Sequence, residues 1–146
     1  MSTRSAIIIE EGNGKSRGIY CHNHGCVSHH KPILLAQYAT EELARRLVDL
    51  GGLSSLGPSI GKKCNFENQP PDQCVAYGRD RGETGEIARP IEGDNWLKVA
   101  KRIGHDGHVY VFRVATQSWW YEGKATGAVD GHPRGRKRFA PLAQVG

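Results

Sequence analysis

His108-Val109-Tyr110-Val111-Phe112-Arg113-Val114, then Ala115-Thr116-Gln117-Ser118, then Trp119-Trp120-Tyr121, is the stretch that decides the fold class. Alternating β-branched and aromatic residues suit a pleated surface, so the two apolar runs predict strands joined by a polar connection at 115–118. Successive strand residues point to opposite faces, so the sheet is expected to receive one of the two adjacent tryptophans on each side. A second hairpin is expected at the other end of the chain. Ser5 to Glu10 is rich in isoleucine, Glu11-Gly12-Asn13-Gly14 supplies turn residues, and Arg17 to His22 reads as the returning strand. The polar cluster Cys21-His22-Asn23-His24-Gly25-Cys26 then emerges at the far end of that hairpin.

Helical signals fall between the hairpins. Pro32 suits a first helical turn, and Ile33, Leu34, Gln37 and Tyr38 follow at helical spacing. Thr40 caps a second helix, in which Glu41 and Glu42 complement the dipole, Leu43, Leu47 and Leu50 form the apolar stripe, and Gly51 terminates. A third starts at Asp94 or Gly93 and presents Trp96, Val99, Ala100 and Ile103 on one side, with Lys98, Lys101 and Arg102 on the other. Residues 52–72 read as a long ordered loop and Cys74 to Tyr77 as a short strand. The expected architecture is α+β: one domain over 1–146, with an antiparallel sheet built from an N-terminal and a C-terminal hairpin and packed against two or three helices. A basic segment at 124–146 ends in Phe139, Leu142 and Val145, which are expected to dock it onto the core.

The 146 residues include 20 Lys and Arg against 15 Asp and Glu, a formal charge of +5 that favours anionic partners. The longest apolar runs are much shorter than the roughly 18 residues a membrane span requires, so no membrane association is expected. The N-terminus lacks the long apolar segment of a secretion signal, so the chain is expected to remain in the cytoplasm.

Three groups of residues carry candidate chemistry. Cys21, His24 and Cys26 stand close together, and Cys64 and Cys74 can complete a tetrahedral structural zinc site from the loop; with no metal, they are ordinary free thiols. Arg79-Asp80-Arg81-Gly82-Glu83 alternates charge after a strand, where arginines can clamp a phosphate or a carboxylate. Arg134-Gly135-Arg136-Lys137-Arg138 places four cations in five residues, either a phosphate-binding patch or a solubilising tail. Gly12-Asn13-Gly14-Lys15-Ser16 lacks the spacing of a phosphate-binding loop and reads as a hairpin turn.

The pattern Ser2-Thr3-Arg4-Ser5, Arg17-Gly18-Ile19-Tyr20-Cys21-His22, Leu50-Gly51-Gly52-Leu53-Ser54-Ser55-Leu56-Gly57 and Tyr77-Gly78-Arg79-Asp80-Arg81-Gly82-Glu83 resembles a group of small uncharacterised bacteriophage and prophage proteins. The group carries no established activity. This chain departs from it after Tyr20-Cys21-His22, where an aromatic residue, an acid, Gly and Tyr usually stand and Asn23, His24, Gly25 and Cys26 are found here.

The resemblance implies a non-enzymatic, phage-encoded counter-defence or host-modulating protein in a bacterial cytoplasm, an anti-CRISPR-like inhibitor of a host defence complex. Its partner would be a host protein or ribonucleoprotein, with Tyr20, His22, Arg79, Asp80, Arg81, Glu83, Arg134, Arg136, Lys137 and Arg138 as contacts. Three alternatives stand beside it. One sequesters a nucleotide signal between the Tyr20–His22 strand end and the arginines. Another is a metal-dependent hydrolase or nuclease using His22, His24 and Asp80, and the last is a plain nucleic-acid binder. A homodimer is a further expected assembly, and no cofactor beyond the structural zinc is implied.

Overall fold

Residues 3–124 and 137–145 are described by a computed structural model. In chain order the elements are β1 (Ser5–Glu10), β2 (Ser16–Cys21), α1 (Val27–Gln37), α2 (Glu41–Asp49), β3 (Leu53–Ser55), β4 (Val75–Ala76), α3 (Tyr77–Arg81), β5 (Ile91–Gly93), α4 (Trp96–Ile103), β6 (His108–Arg113), β7 (Ser118–Lys124) and β8 (Lys137–Pro141). Both expected hairpins form. Ile7 lies opposite Ile19 in the first, and Tyr110 opposite Tyr121 in the second.

The strands make one sheet in the order β4-β3-β2-β1-β6-β7-β8, with β5 paired to the first half of β2. The fold is α+β as expected, but the sheet is mixed. β1 runs parallel to β6, with Ile7 opposite Tyr110, and β2 runs parallel to β3. Hairpin pairing is local and antiparallel by construction, whereas the way two hairpins abut depends on the long connection between them. That connection brings β6 beside β1, so β1 becomes a central strand buried on both faces, which explains its continuous apolar run.

The two faces are covered differently. Ile7, Ile9, Ile19, Tyr110, Phe112 and Trp119 form one core with Leu34 of α1 and Ala44, Leu47 and Val48 of α2. Ala6, Ile8, Val109 and Val111 form the other, beneath Val99, Ala100 and Ile103 of α4. Gly18 permits this second contact: a Cβ there would stand 2.5 Å from the Ile8 side chain and 3.1 Å from Ile103. The tryptophans divide as expected. Trp119 is buried and donates its Nε1–H to the Tyr38 carbonyl at 2.8 Å, while Trp120 lies on the other face, stacked on Phe139. The end of the chain docks through the buried Leu142, with Phe139 and Val145 partly buried.

Helix boundaries follow the capping signals with two corrections. Thr40 Oγ1 accepts the Leu43 N–H at 3.3 Å and Gly51 adopts φ 77°, as expected for the start and stop of α2. The cap of α4 is Asn95, which accepts the Lys98 N–H at 2.9 Å, in place of Asp94 or Gly93. α1 begins at Val27 and holds Pro32 in its interior instead of its first turn. Its early start is a tertiary effect, because it seats the buried His30 against Tyr110 and Ser5. The charged run after β4 coils into α3, which makes four α-helices among the described residues where two or three were expected. Among the described residues no helix is long and apolar enough to cross a membrane.

Candidate functional site at the open end of the first hairpin

The long loop after β3 is held by the charged run, and this divides the run in two. Asp80 has a fully buried side chain. Its Oδ1 accepts from the Cys64 N–H at 3.0 Å and its Oδ2 from the Ala76 N–H at 2.7 Å. Arg79 reaches both oxygens, at 3.0 and 3.1 Å, and donates to the Ile60 and Cys74 carbonyls at 2.8 Å each. Burial acts to raise the Asp80 carboxyl, but the guanidinium and the two backbone N–H groups outweigh it and hold the acid below its ordinary range. Arg79 and Asp80, expected as partner contacts, therefore form an internal clasp that fixes residues 60–76.

Arg81 and Glu83 face the other way. Their side chains are 53% and 38% exposed and pair at 3.2 Å. The Arg81 guanidinium stands 5.3 Å from the centre of the Phe66 ring and 5.9 Å from that of Tyr77, and the two rings are 5.5 Å apart. Helical spacing sets this up, since Tyr77 and Arg81 are four residues apart on α3 and share a face. The Tyr77 hydroxyl is raised by burial, with Tyr20 nearby, and lies beside the Ser54 side chain. Tyr20 in turn holds His22, with its hydroxyl 2.6 Å from His22 Nδ1. The β4 edge of the sheet thus carries Tyr77 and Arg81 together with Phe66, which periodicity did not single out, and the Tyr20–His22 pair lies near Tyr77.

Behind this edge a row of rings runs into the core. His24 and His29 have centroids 5.2 Å apart, His29 and His30 5.2 Å, His30 and Tyr110 5.0 Å, and Tyr110 and Tyr121 5.0 Å. Burial pushes the His30 imidazole down to about 3, so it is neutral, bonded to Ser5 Oγ at 3.0 Å and to His29 at 3.0 Å. Burial, then His24, lowers His29 too. His24 itself is exposed and adopts φ 56°, a conformation few residues other than glycine hold. Against His24 and His29 lies a cleft of about 290 Å³, closed on its far side by Leu56, Gln69 and Pro70. Ser54 connects cleft and edge, accepting from Asn23 Nδ2 at its carbonyl (2.9 Å) and from Gln69 Nε2 at its hydroxyl (3.3 Å).

Cys21 and Cys74 share one core, and Cys26 and Cys64 stand outside it. Cys21 is buried, pushed up to about 12 by that burial, and donates to the Asn23 carbonyl at 3.6 Å. Cys74 is buried 3.3 Å from the Tyr38 hydroxyl. Cys26 pairs with Ser28 Oγ at 3.2 Å, and Cys64 lies beside Asp80. All four are free, and among the described residues no three of His, Cys, Asp and Glu are grouped to hold a metal ion. Arg134 and Arg136 lie outside the described residues, and Lys137 and Arg138 open β8. Compared with known proteins, the chain matches no protein-family model, no curated protein and no solved structure.

Proposed function

We propose that the protein acts by binding, without catalysis, as a phage-encoded counter-defence or host-modulating protein that docks on a host defence complex through the Phe66–Tyr77–Arg81 platform. The observation that carries this reading is the outward guanidinium of Arg81, held over two aromatic rings. Arginine and tyrosine set on a rigid element are the residue types that dominate macromolecular contacts. The groups that acid–base chemistry would need are engaged elsewhere: Asp80 accepts bonds at both oxygens, and His30 and Ser5 are buried against each other. A phosphate-clamping site between Tyr20–His22 and the arginines finds one outward guanidinium in α3, because Arg79 is committed to the loop. The resemblance to small phage proteins supports the choice of target class.

The test is infection of bacteria carrying CRISPR or nucleotide-signalling defences, with and without the protein. The full chain is expected to restore plaque formation against at least one defence. Arg81→Glu combined with Tyr77→Ser is expected to abolish restoration while the folded protein persists. Failure of the full chain across the panel would sink the reading, as would full activity of the double variant.

A further inference from the structure

Among the described residues, no carboxylate, ammonium or guanidinium lines the cleft beside His24 and His29. Its polar groups are amides, a hydroxyl and imidazoles. The two imidazoles lie 36° apart, and Leu56 and Pro70 face the same space. The glutamine amides are oriented from behind: Gln69 donates its Nε2–H to Ser54 Oγ at 3.3 Å, and Gln73 to the Lys62 carbonyl at 2.6 Å. The Gln69 Oε1 accepts no hydrogen bond among the described residues, so this amide keeps acceptor capacity, whereas the Gln73 amide packs against Gly61. Burial and the neighbouring His24 lower His29, which favours its neutral form. A phosphate entering this cleft would lose water and meet no lysine or arginine among the described residues, which is costly. An uncharged ring with N–H donors meets acceptors and stacking faces instead.

We infer that the cleft binds an uncharged nucleobase, stacked on the His24–His29 pair with an N–H group donating to Gln69. At about 290 Å³ the cleft lies at the small end of ligand sites, which suits one base and leaves a ribose at the mouth. The base can come from a free nucleoside or from a nucleotide whose phosphate stays in solvent. This site is distinct from the Arg81 platform and does not depend on the target proposed above.

The full chain would be titrated with adenosine, guanosine, cytidine and uridine, and with their 5′-monophosphates, by calorimetry and by following the histidine ring protons in NMR. At least one nucleoside is expected to saturate and to shift the His24 and His29 signals, with its monophosphate binding within about threefold if the base alone is read. A clear preference for the nucleoside would identify the free form as the ligand. Gln69→Ala, and His24→Asn, which keeps a residue tolerant of the left-handed backbone, are each expected to weaken binding at least about tenfold without moving the unfolding midpoint. Absence of saturation by all four nucleosides would overturn the inference. So would binding that requires the phosphate and is lost in Arg81→Ala but kept in Gln69→Ala.

Discussion

Arg79 and Asp80 point into the protein, while Arg81 and Glu83, in the same charged run, point out. The inner pair is held by two backbone N–H groups and two carbonyls and secures the loop over residues 60–76. The outer pair touches two aromatic rings and solvent. Residues of one type, two positions apart, therefore sit in unlike settings: one arginine fastens the chain to itself, and the other stands exposed over two aromatic rings. The reason is helical geometry. Two residues correspond to more than half a turn of α3, so an arginine directed at the loop forces the next one away from it.

Several measurements break or sharpen this contrast. The largest effect is expected from Asp80→Ala, which leaves a buried guanidinium and two N–H groups without their acceptor. Urea unfolding should show a loss of about 3–5 kcal/mol, and a loss below about 1 kcal/mol would mean the clasp is not what holds the loop. Arg79→Ala is expected to cost less than Asp80→Ala, because its side chain is one-fifth exposed and water reaches part of the site it leaves.

The histidines repeat the contrast between inner and outer groups. His30 is depressed to about 3 in the folded protein by burial, and its unfolded form takes up a proton near 6.5. Stability from its neutral state is therefore complete above about pH 6.5 and is lost as pH falls from there toward 3. Between about pH 7 and pH 5 the loss should reach up to about 2 kcal/mol, with the lowered His29 and His108 adding in the same direction. A His30→Asn variant should show a flatter profile, and an unchanged slope would assign the pH dependence to other groups. Arg81→Ala is expected to cost at most about 1 kcal/mol of stability, the scale of an exposed cation–π contact, while removing the proposed partner binding. The smallest effect is expected from Glu83→Ala, within about 0.5 kcal/mol in thermal unfolding.

Much of the fold was legible because its signals are local. The alternation in His108–Val114, the isoleucine run before Glu11, Thr40 as a cap and Gly51 as a stop each act within a few residues. The site was less legible. Tyr20, His22 and Arg81 stood out by residue type, but Phe66, Gln69 and Gln73 sit in a loop with no periodicity to reveal them. The one signal that could have found the platform is the four-residue spacing of Tyr77 and Arg81, which pairs an aromatic with a cation once α3 is recognised as helical. The placement of Cys21, Cys26, Cys64 and Cys74 was not readable, because it depends on where the loop returns.

By itself the sequence determined the two hairpins, the capped helix α2, the basic amphipathic helix α4 and one tryptophan for each face of the sheet. These follow from side-chain period, turn chemistry and capping, which are properties of neighbouring residues. Only the tertiary structure decided that the hairpins meet through a parallel pair, that Pro32 lies inside a helix, that Arg79 turns in and Arg81 out, and that His24 and His29 face Gln69 and Gln73 across a cleft. Each of these joins segments far apart in the chain, and is set by burying both faces of β1 and satisfying Asp80 and His30, conditions that exist only once the whole chain has packed.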